Sequence, residues 1–380
     1  MKICVKSDFF SYTSESLMWK YIGREWLKLG HNVTFLDISR PNIPRADANG
    51  IGKLYGDLLP FVSPQAKDNY DVYFDLFDFM TANLKPVKAK IYSGVFCWGL
   101  VPIQRELMWN VMVERRPIFV ASSLTYKEFY KEVRHTYPFL SGVDHDTFNP
   151  DGPKKMIMQR DVETIFTWVG FNVPSSCPDI VFEAYFNEFS AKDKVQLVMV
   201  DPGGMTRFLC EEMDKLLGKD LPPVVFIVGG IDPEEMALLY RASTALILPV
   251  RFHCECRPIL EAMSCGLPVV TNKYGGPADY TGISETIYIK YDVEPAIEAS
   301  KLLEKKYKSI SGNSFCSMYE GDKKFVWAKP DSIDLSRCMR RIHNRIYSLA
   351  DYKESGKEMA AKWSWKLTAL DMMKKIQLYR

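Results

Sequence analysis

The stretch that decides the fold is Leu248-Pro249-Val250-Arg251-Phe252-His253-Cys254-Glu255-Cys256-Arg257-Pro258-Ile259-Leu260-Glu261-Ala262-Met263, residues 248–263. It follows an apolar run from Ala245 and reads as a buried strand, 245–249, that ends at Pro249. A loop dense in polar and reactive side chains comes next. Pro258 suits the first turn of a helix, and Gly266 suits its end, so 258–265 is predicted helical. A second strand follows at 268–272, and then the turn Tyr274-Gly275-Gly276-Pro277. Open α/β sheets bind ligands just beyond the carboxyl ends of their strands, where helix N-termini present free N–H groups and a positive dipole. The loop therefore stands where a phosphorylated ligand is held. Glu261, one turn into the helix, is placed to accept two hydrogen bonds from a ribose diol.

Working outward, the same alternation recurs on both sides. Toward the N-terminus, strands are predicted at 164–169, 195–200 and 224–228, and helices at 180–189, 206–217 and 233–240. Around Asp151-Gly152-Pro153-Lys154-Lys155 the chain turns polar and rich in turn formers, which marks a domain linker. Before it lies another α/β set. A strand at 2–5 is followed by a helix at 14–29 with an apolar stripe of Leu17, Met18, Tyr21, Ile22, Trp26 and Leu27. Gly30 ends that helix, and 31–36 is the next strand. Strand, helix, strand within so few residues is a βαβ unit with parallel strands. Further strands are predicted at 72–76, 90–92 and 118–121, with a helix at 124–133 capped by Ser122-Ser123. Residues 301–335 fit no clear element and read as an insertion; 364–380 reads as a terminal helix.

The bulk numbers agree with two globular domains. The chain has 380 residues, 47% of them hydrophobic and 25% charged. A formal net charge of +2 gives no strong field that would suggest nucleic acid or an acidic membrane as the dominant partner. The short basic cluster Lys301, Lys305, Lys306 and Lys308 reads as a solvated helix face. No run approaches the roughly 18 apolar residues of a membrane span, which leaves peripheral membrane contact open. The start, Met1-Lys2-Ile3-Cys4-Val5-Lys6, predicts no signal peptide, and the nine cysteines then read as reduced thiols in a cytoplasmic protein.

Leu-Pro-x-Arg at 248–251, Pro-Ile-Leu-Glu-Ala-Met-Ser-Cys-Gly-Leu-Pro-Val-Val at 258–270 and Gly275-Gly276 together resemble the signature of retaining family-4 glycosyltransferases. Four further segments resemble that family in the expected order. Ser141-Gly142-Val143-Asp144 with Phe148 and Pro150 is similar to its interdomain motif. Gly229-Gly230-Ile231 with Glu234, Glu235 and Leu239-Tyr240 is similar to its base-binding turn and helix. Trp327 with Pro330-Asp331 is similar to a segment before a helix, and Trp363-Ser364-Trp365 to the start of the returning C-terminal helix. The resemblance implies a GT-B fold: two Rossmann-like, doubly wound domains facing a central cleft. It implies an acceptor domain at 1–150, a donor domain at 151–363 and a helix at 364–380 packing back on the first domain.

The resemblance also implies roles. Glu261 would bind the nucleotide ribose. Cys256 to Pro258 would face the diphosphate, and Gly230-Ile231 would touch the base. Gly275-Gly276, with Gly170 after the first strand of the domain, would line the donor cleft. The loop from Ser11 to Ser14 would close on the donor from the first domain. No cofactor or metal is implied beyond a UDP- or GDP-sugar co-substrate; the acceptor, whether glycan, lipid-linked sugar or protein, is not identified.

The chain departs from the family pattern in three places. Counting back eight residues from Glu261, where the family has its first glutamate, gives His253; Glu255 lies two residues further on, so either of the two takes that place. The Arg and Lys that neutralise the donor diphosphate are missing from 168–179, which leaves Arg257 and Arg251 as the nearest cations for a leaving group that gains negative charge. A first-domain histidine near the acceptor is missing from 92–98. Plainer readings stand beside these. Glu261 can be a carboxylate favoured by the helix dipole, His253 and Glu255 can serve the loop's own backbone, Arg257 can form a surface ion pair, and the glycine pair can be a simple turn. His253, Cys254, Cys256 and Cys265 suggest a zinc cluster, but the Cys-x-Cys spacing is not the usual knuckle. The leading expectation is a retaining, metal-independent hexosyl transfer. The runner-up is a GT-B protein that has lost catalysis and serves as a scaffold, and epimerisation of a nucleotide sugar is a weaker third.

Overall fold

The predicted alternation folds into two α/β units. The computed structural model describes residues 1–10, 14–38, 47–66, 69–76, 87–96, 117–154, 161–170, 174–201, 220–306 and 326–380. One unit comprises Met1–Asp144 with Trp363–Arg380, the other His145–Lys362.

In the first unit the elements run β1 (Lys2–Ser7), α1 (Ser14–Lys28), β2 (Asn32–Asp37), α2 (Ala48–Tyr55), β3 (Val62–Ser63), β4 (Tyr70–Leu76), β5 (Ala89–Phe96), β6 (Ile118–Ala121), α3 (Ser123–Glu132) and β7 (Thr136–Phe139). The strands form one parallel sheet in the order β3-β2-β1-β4-β5-β6-β7. Every residue of β6 is buried, as expected where both faces of a parallel sheet are covered. Most of the stripe foreseen on α1 is what it buries: Leu17, Met18, Tyr21, Ile22 and Trp26 lie in the core, while Leu27 is half-buried. Ser122 caps α3, its hydroxyl accepting from the Thr125 amide at 3.2 Å.

The second unit runs β8 (Thr164–Val169), α4 (Pro178–Glu188), β9 (Val195–Asp201), β10 (Val224–Val228), α5 (Pro233–Ala242), β11 (Ala245–Ile247), α6 (Arg257–Ser264), β12 (Val269–Thr271), α7 (Pro277–Tyr280), β13 (Thr286–Tyr288), β14 (Tyr291–Pro295), α8 (Ala296–Lys306), β15 (Val326–Pro330), α9 (Ser332–His343) and α10 (Leu349–Ala360). Its main sheet is parallel, in the order β10-β9-β8-β11-β12-β13. The last helix, α11 (Trp365–Gln377), returns to the first unit. There the Trp26 indole donates to the Ala369 carbonyl at 3.2 Å, and Tyr21 stacks on Trp365 with ring centroids 5.5 Å apart.

The structure divides the chain at Asp144, ahead of the turn-rich segment at Asp151. Residues after 144 are held by α5: Phe148 packs on Tyr240, and Arg241 donates to the carbonyls of Asn149 and Pro153 at 3.1 and 2.9 Å. The predicted strand at 245–249 ends at Ile247, and the predicted helix at 206–217 lies outside the described residues. The supposed insertion at 301–335 carries regular structure where it is described. β15 pairs antiparallel with β14, and Asp331 caps α9 by accepting from the Ile333 and Asp334 amides at 2.9 and 3.0 Å.

Two motifs quoted separately from the sequence meet within the first unit. Val143 bridges to Ser364 in parallel, and a Cβ placed on Gly142 would collide with the backbone of Trp365. Ser364 caps α11, its hydroxyl accepting from the Leu367 amide at 3.3 Å. The glycine of Ser141-Gly142-Val143-Asp144 is thus required by the chain that comes back 220 or so residues later, a spacing read from the numbering alone.

Candidate functional site

In the second unit the sheet order reverses between β8 and β11, the first and fourth strands of that sheet. Ligands of such sheets bind at this reversal, beyond the carboxyl ends of the strands. Three segments stand at that edge, 174–177, 248–256 and 272–276, and hydrogen bonds tie them together. The buried Asn272 side chain accepts from the Val250 amide at 2.8 Å and donates to the Val250 carbonyl at 2.9 Å. The Arg251 amide donates to the Ser175 carbonyl at 2.9 Å, and the Arg251 carbonyl accepts from Ala328 of β15 at 2.9 Å.

Arg251 itself corrects the reading that made it a candidate for a donor phosphate. Its guanidinium is buried and donates two bonds to Asp179, at 2.7 and 2.6 Å. A further bond reaches the Pro174 carbonyl at 2.8 Å, and the Trp327 ring lies 5.7 Å away. A bidentate pair of this kind uses the fork of the guanidinium on one carboxylate. Asp179, at the first turn of α4, takes the charge that the diphosphate would have taken.

His253 is half-buried, and its Nε2 lies 3.3 Å from the Ser176 hydroxyl. Burial lowers its pKa to about 4, so the ring is neutral at pH 7. Glu255 is buried two residues on. Cys256 precedes α6 in the left-handed region, with φ 56 and ψ 44, and Cys177 precedes α4 with φ 53 and ψ 40. Each helix has a proline in its first turn, and neither cysteine side chain caps it. The first amides of α6 thus have no side-chain acceptor from the cap position.

On α6, Arg257 is buried and Pro258 is half-buried. Arg257 Nε lies 3.9 Å from Glu261 Oε1. Tyr240 of α5 donates to Glu261 Oε2 at 3.3 Å. Burial pushes the Glu261 carboxyl above its ordinary range, partly offset by the Arg257 charge and the Tyr240 hydroxyl. The Tyr240 phenol is raised in turn, by burial first and then by Glu261.

The glycine pair has an internal task. The Gly276 amide donates to the His253 carbonyl at 2.6 Å. A Cβ on Gly275 would stand 2.7 Å from that same carbonyl oxygen, at φ +64, and one on Gly276 would stand 2.5 Å from the Cys254 carbonyl oxygen. Both residues are glycine because the loop backbone at 253–254 presses against them. Gly170 follows β8, close against the Trp168 ring and Ser176. Gly230 is exposed and Ile231 half-buried, beyond the carboxyl end of β10 on the same side of the sheet. Ser14 opens α1 in the other unit, while Ser11 lies outside the described residues. Cys254, Cys256 and Cys265 are free thiols.

Sequence reasoning missed three residues of this framework. Asn272 was legible as a polar residue closing an apolar strand, and Asp179 as an acid in the first turn of a helix. Nothing local to Trp327 signals that it covers Arg251.

Residues 173–310 match the family model described as glycosyl transferases group 1. The matched stretch contains the Ser176 turn, the 248–256 loop, α6 and the glycine pair. Over 90 residues, 24% of this chain and 20% of the relative, it is 31% identical to the GDP-mannose-dependent alpha-mannosyltransferase of Corynebacterium glutamicum. Over 146 residues it is 31% identical to the D-inositol 3-phosphate glycosyltransferase of Frankia alni, covering 36% of this chain and 35% of that one. The chain thus spans about a fifth to a third of the length of these two curated relatives. Among solved structures it is similar to Anabaena HepE in complex with UDP-glucose, at TM-score 0.68 and 13% identity, covering 99% of each chain. It is similar also to sucrose-phosphate synthase of Thermosynechococcus elongatus, at TM-score 0.63 and 14% identity, covering 100% of this chain and 98% of that one. At such identities the likeness is one of fold, and the fold is GT-B: two Rossmann-like units with parallel sheets.

Proposed function

We propose that the chain transfers a sugar from a UDP- or GDP-sugar to a polar acceptor, with retention and without a metal ion. The observation that carries this reading is the group made by Glu261 and Arg257 of α6 with Tyr240 of α5, at the reversal point of the sheet and inside the stretch that matches the family model. Glu261 accepts the two ribose hydroxyls. Arg257 and the first amides of α6 stabilise the departing diphosphate, the step in which negative charge develops. Gly230 and Ile231 meet the base through backbone. His253, neutral at pH 7, offers the sugar a ring nitrogen where a carboxylate offers only acceptors, and Glu255 lies beside it. UDP-glucose in the solved HepE complex and GDP-mannose in the name of a curated relative support a nucleoside diphosphate donor and leave the base to experiment. The acceptor, a glycan, a lipid-linked sugar or a protein, would meet the first unit.

One observation favours a second reading, a catalytically inactive binding or scaffold protein. Arg251 is committed to Asp179, so one of the two cations that were to replace the missing pair is engaged elsewhere. Thermal shift against UDP-, GDP- and ADP-sugars, run beside a nucleotide-release assay, separates the two. A cognate donor raises stability by a few kcal/mol at large excess over Kd and is turned over if the chain is an enzyme. A shift without release across an acceptor panel selects the scaffold, and no shift with any nucleotide sinks both donor readings. Arg257→Ala should weaken donor binding by about tenfold or more, the loss of one charge-assisted contact; unchanged affinity and turnover would remove Arg257 from the site.

A further inference from the structure

Helix α11 has two faces. One buries Trp365, Ala369, Met372, Met373 and Ile376. The other carries Leu367, Leu370, Lys374 and, just past the helix end, Leu378, spaced by three to four residues so that they lie in one line. The leucines of that line are 55%, 39% and 71% exposed, and Leu29 at the end of α1 is 43% exposed. Leu29, His31, Leu367, Leu370, Met373 and Lys374 line one shallow hollow of about 650 Å³.

The charges around this edge are unbalanced. Its acids are held by neighbours: Asp371, which also lines the hollow, by Lys375 at 3.7 Å, Glu25 by Lys28 at 2.6 Å, and Asp71, which the Arg380 charge also reaches, by Lys90 at 2.7 Å. Lys366, Lys374 and Arg380 are exposed and form no ion pair among the described residues. Arg380 stands at the His31 end of the hollow: after burial and the N-terminal ammonium, it is the next cause holding the His31 pKa down. Contiguous exposed apolar side chains mark a contact surface, and the charge identifies what it contacts. A second copy would bring the same cations against these. The cores of protein interfaces are depleted in lysine, whereas leucines interleaved with lysines are the pattern of helices that lie in a lipid headgroup region.

We propose that this edge of the first unit, Leu29, Leu367, Leu370 and Leu378 ringed by Lys366, Lys374 and Arg380, docks on a bilayer that carries anionic phospholipid. The leucines enter the headgroup region while α11 keeps its inner face packed on α1. The surface does not depend on the transfer reading, and either can fail without the other.

The test is co-sedimentation of the full chain with vesicles of phosphatidylcholine alone and of phosphatidylcholine mixed with phosphatidylglycerol. Binding to the mixed vesicles is expected, weakening as salt is raised. Lys374→Gln should weaken it about fivefold, the worth of one cation near an anionic surface. The double variant Leu367→Ser/Leu370→Ser should abolish it at the cost of only a small fall in melting temperature, because Leu367 is more than half exposed and Leu370 more than a third. Failure of the chain to sediment with either vesicle, or full retention of binding in the double variant, overturns the proposal. So does a concentration-dependent dimer that the double variant dissolves, which would make the occupant a second copy.

Discussion

Arg251 and Asp179 show how residue type alone misleads. A cation in a loop expected to face phosphates reads naturally as a phosphate ligand, and only the fold reveals a buried carboxylate already on its fork. Burying such a pair adds little net stability, but removing one partner strands the other. Arg251→Met should therefore cost about 3–5 kcal/mol, measured by denaturant unfolding, while Arg251→Met with Asp179→Leu should recover much of that loss. A single variant as stable as the parent would mean that the pair is not buried as described. Glu261 was legible for the opposite reason. Its position one turn inside a helix follows from Pro258 and Gly266, residues whose backbone preferences hold wherever they occur, and the structure sets Arg257 and Tyr240 against it.

At the scale of elements, the parallel strands and the helices between them were largely readable, because buried strands are apolar throughout and the helices are bounded by Pro, Gly, Ser and Asp. β14 was not, and α9 was signalled only by the resemblance of Trp327 and Pro330-Asp331 to a segment before a helix. Most of β14 is exposed and shows no alternation, and α9 carries three arginines and an aspartate around a narrow stripe of Leu335, Cys338, Met339 and Ile342. The lacing of the loops was equally hidden, since each bond joins residues far apart in sequence. His253 gives that lacing a pH signature. Its folded pKa, about 4, lies below the ordinary 6.5. The neutral ring thus contributes stability that is present above pH 6.5 and is lost as pH falls through 4. His253→Asn should flatten this dependence by on the order of 2 kcal/mol, discounted for the ring's partial exposure; unfolding midpoints across that range decide it. If variant and parent lose stability in parallel, the ring is not held neutral. Gly276→Ala should cost about 1–3 kcal/mol, because its Cβ would meet backbone rather than a movable side chain, and a neutral effect would show that the loop can withdraw.

At the scale of the whole chain, the two-unit plan was legible in the break in composition and in the second run of alternating strands and helices. The boundary was misplaced because polar turn residues mark where a chain bends, while Phe148 and the Arg241 bonds decide which core the following segment joins. The return of the last helix was read from a motif, and its physical basis is the α1 surface it covers. That surface belongs to a unit whose two parts are separated by the entire other unit. The ribosome therefore finishes residues 145–362 before it makes the piece that completes the earlier unit, and the unit begun first is the last that can close. Until then the Trp26 face of α1 stands open, and a stalled or shortened chain would offer it to chaperones and proteases beside a neighbour that has already folded.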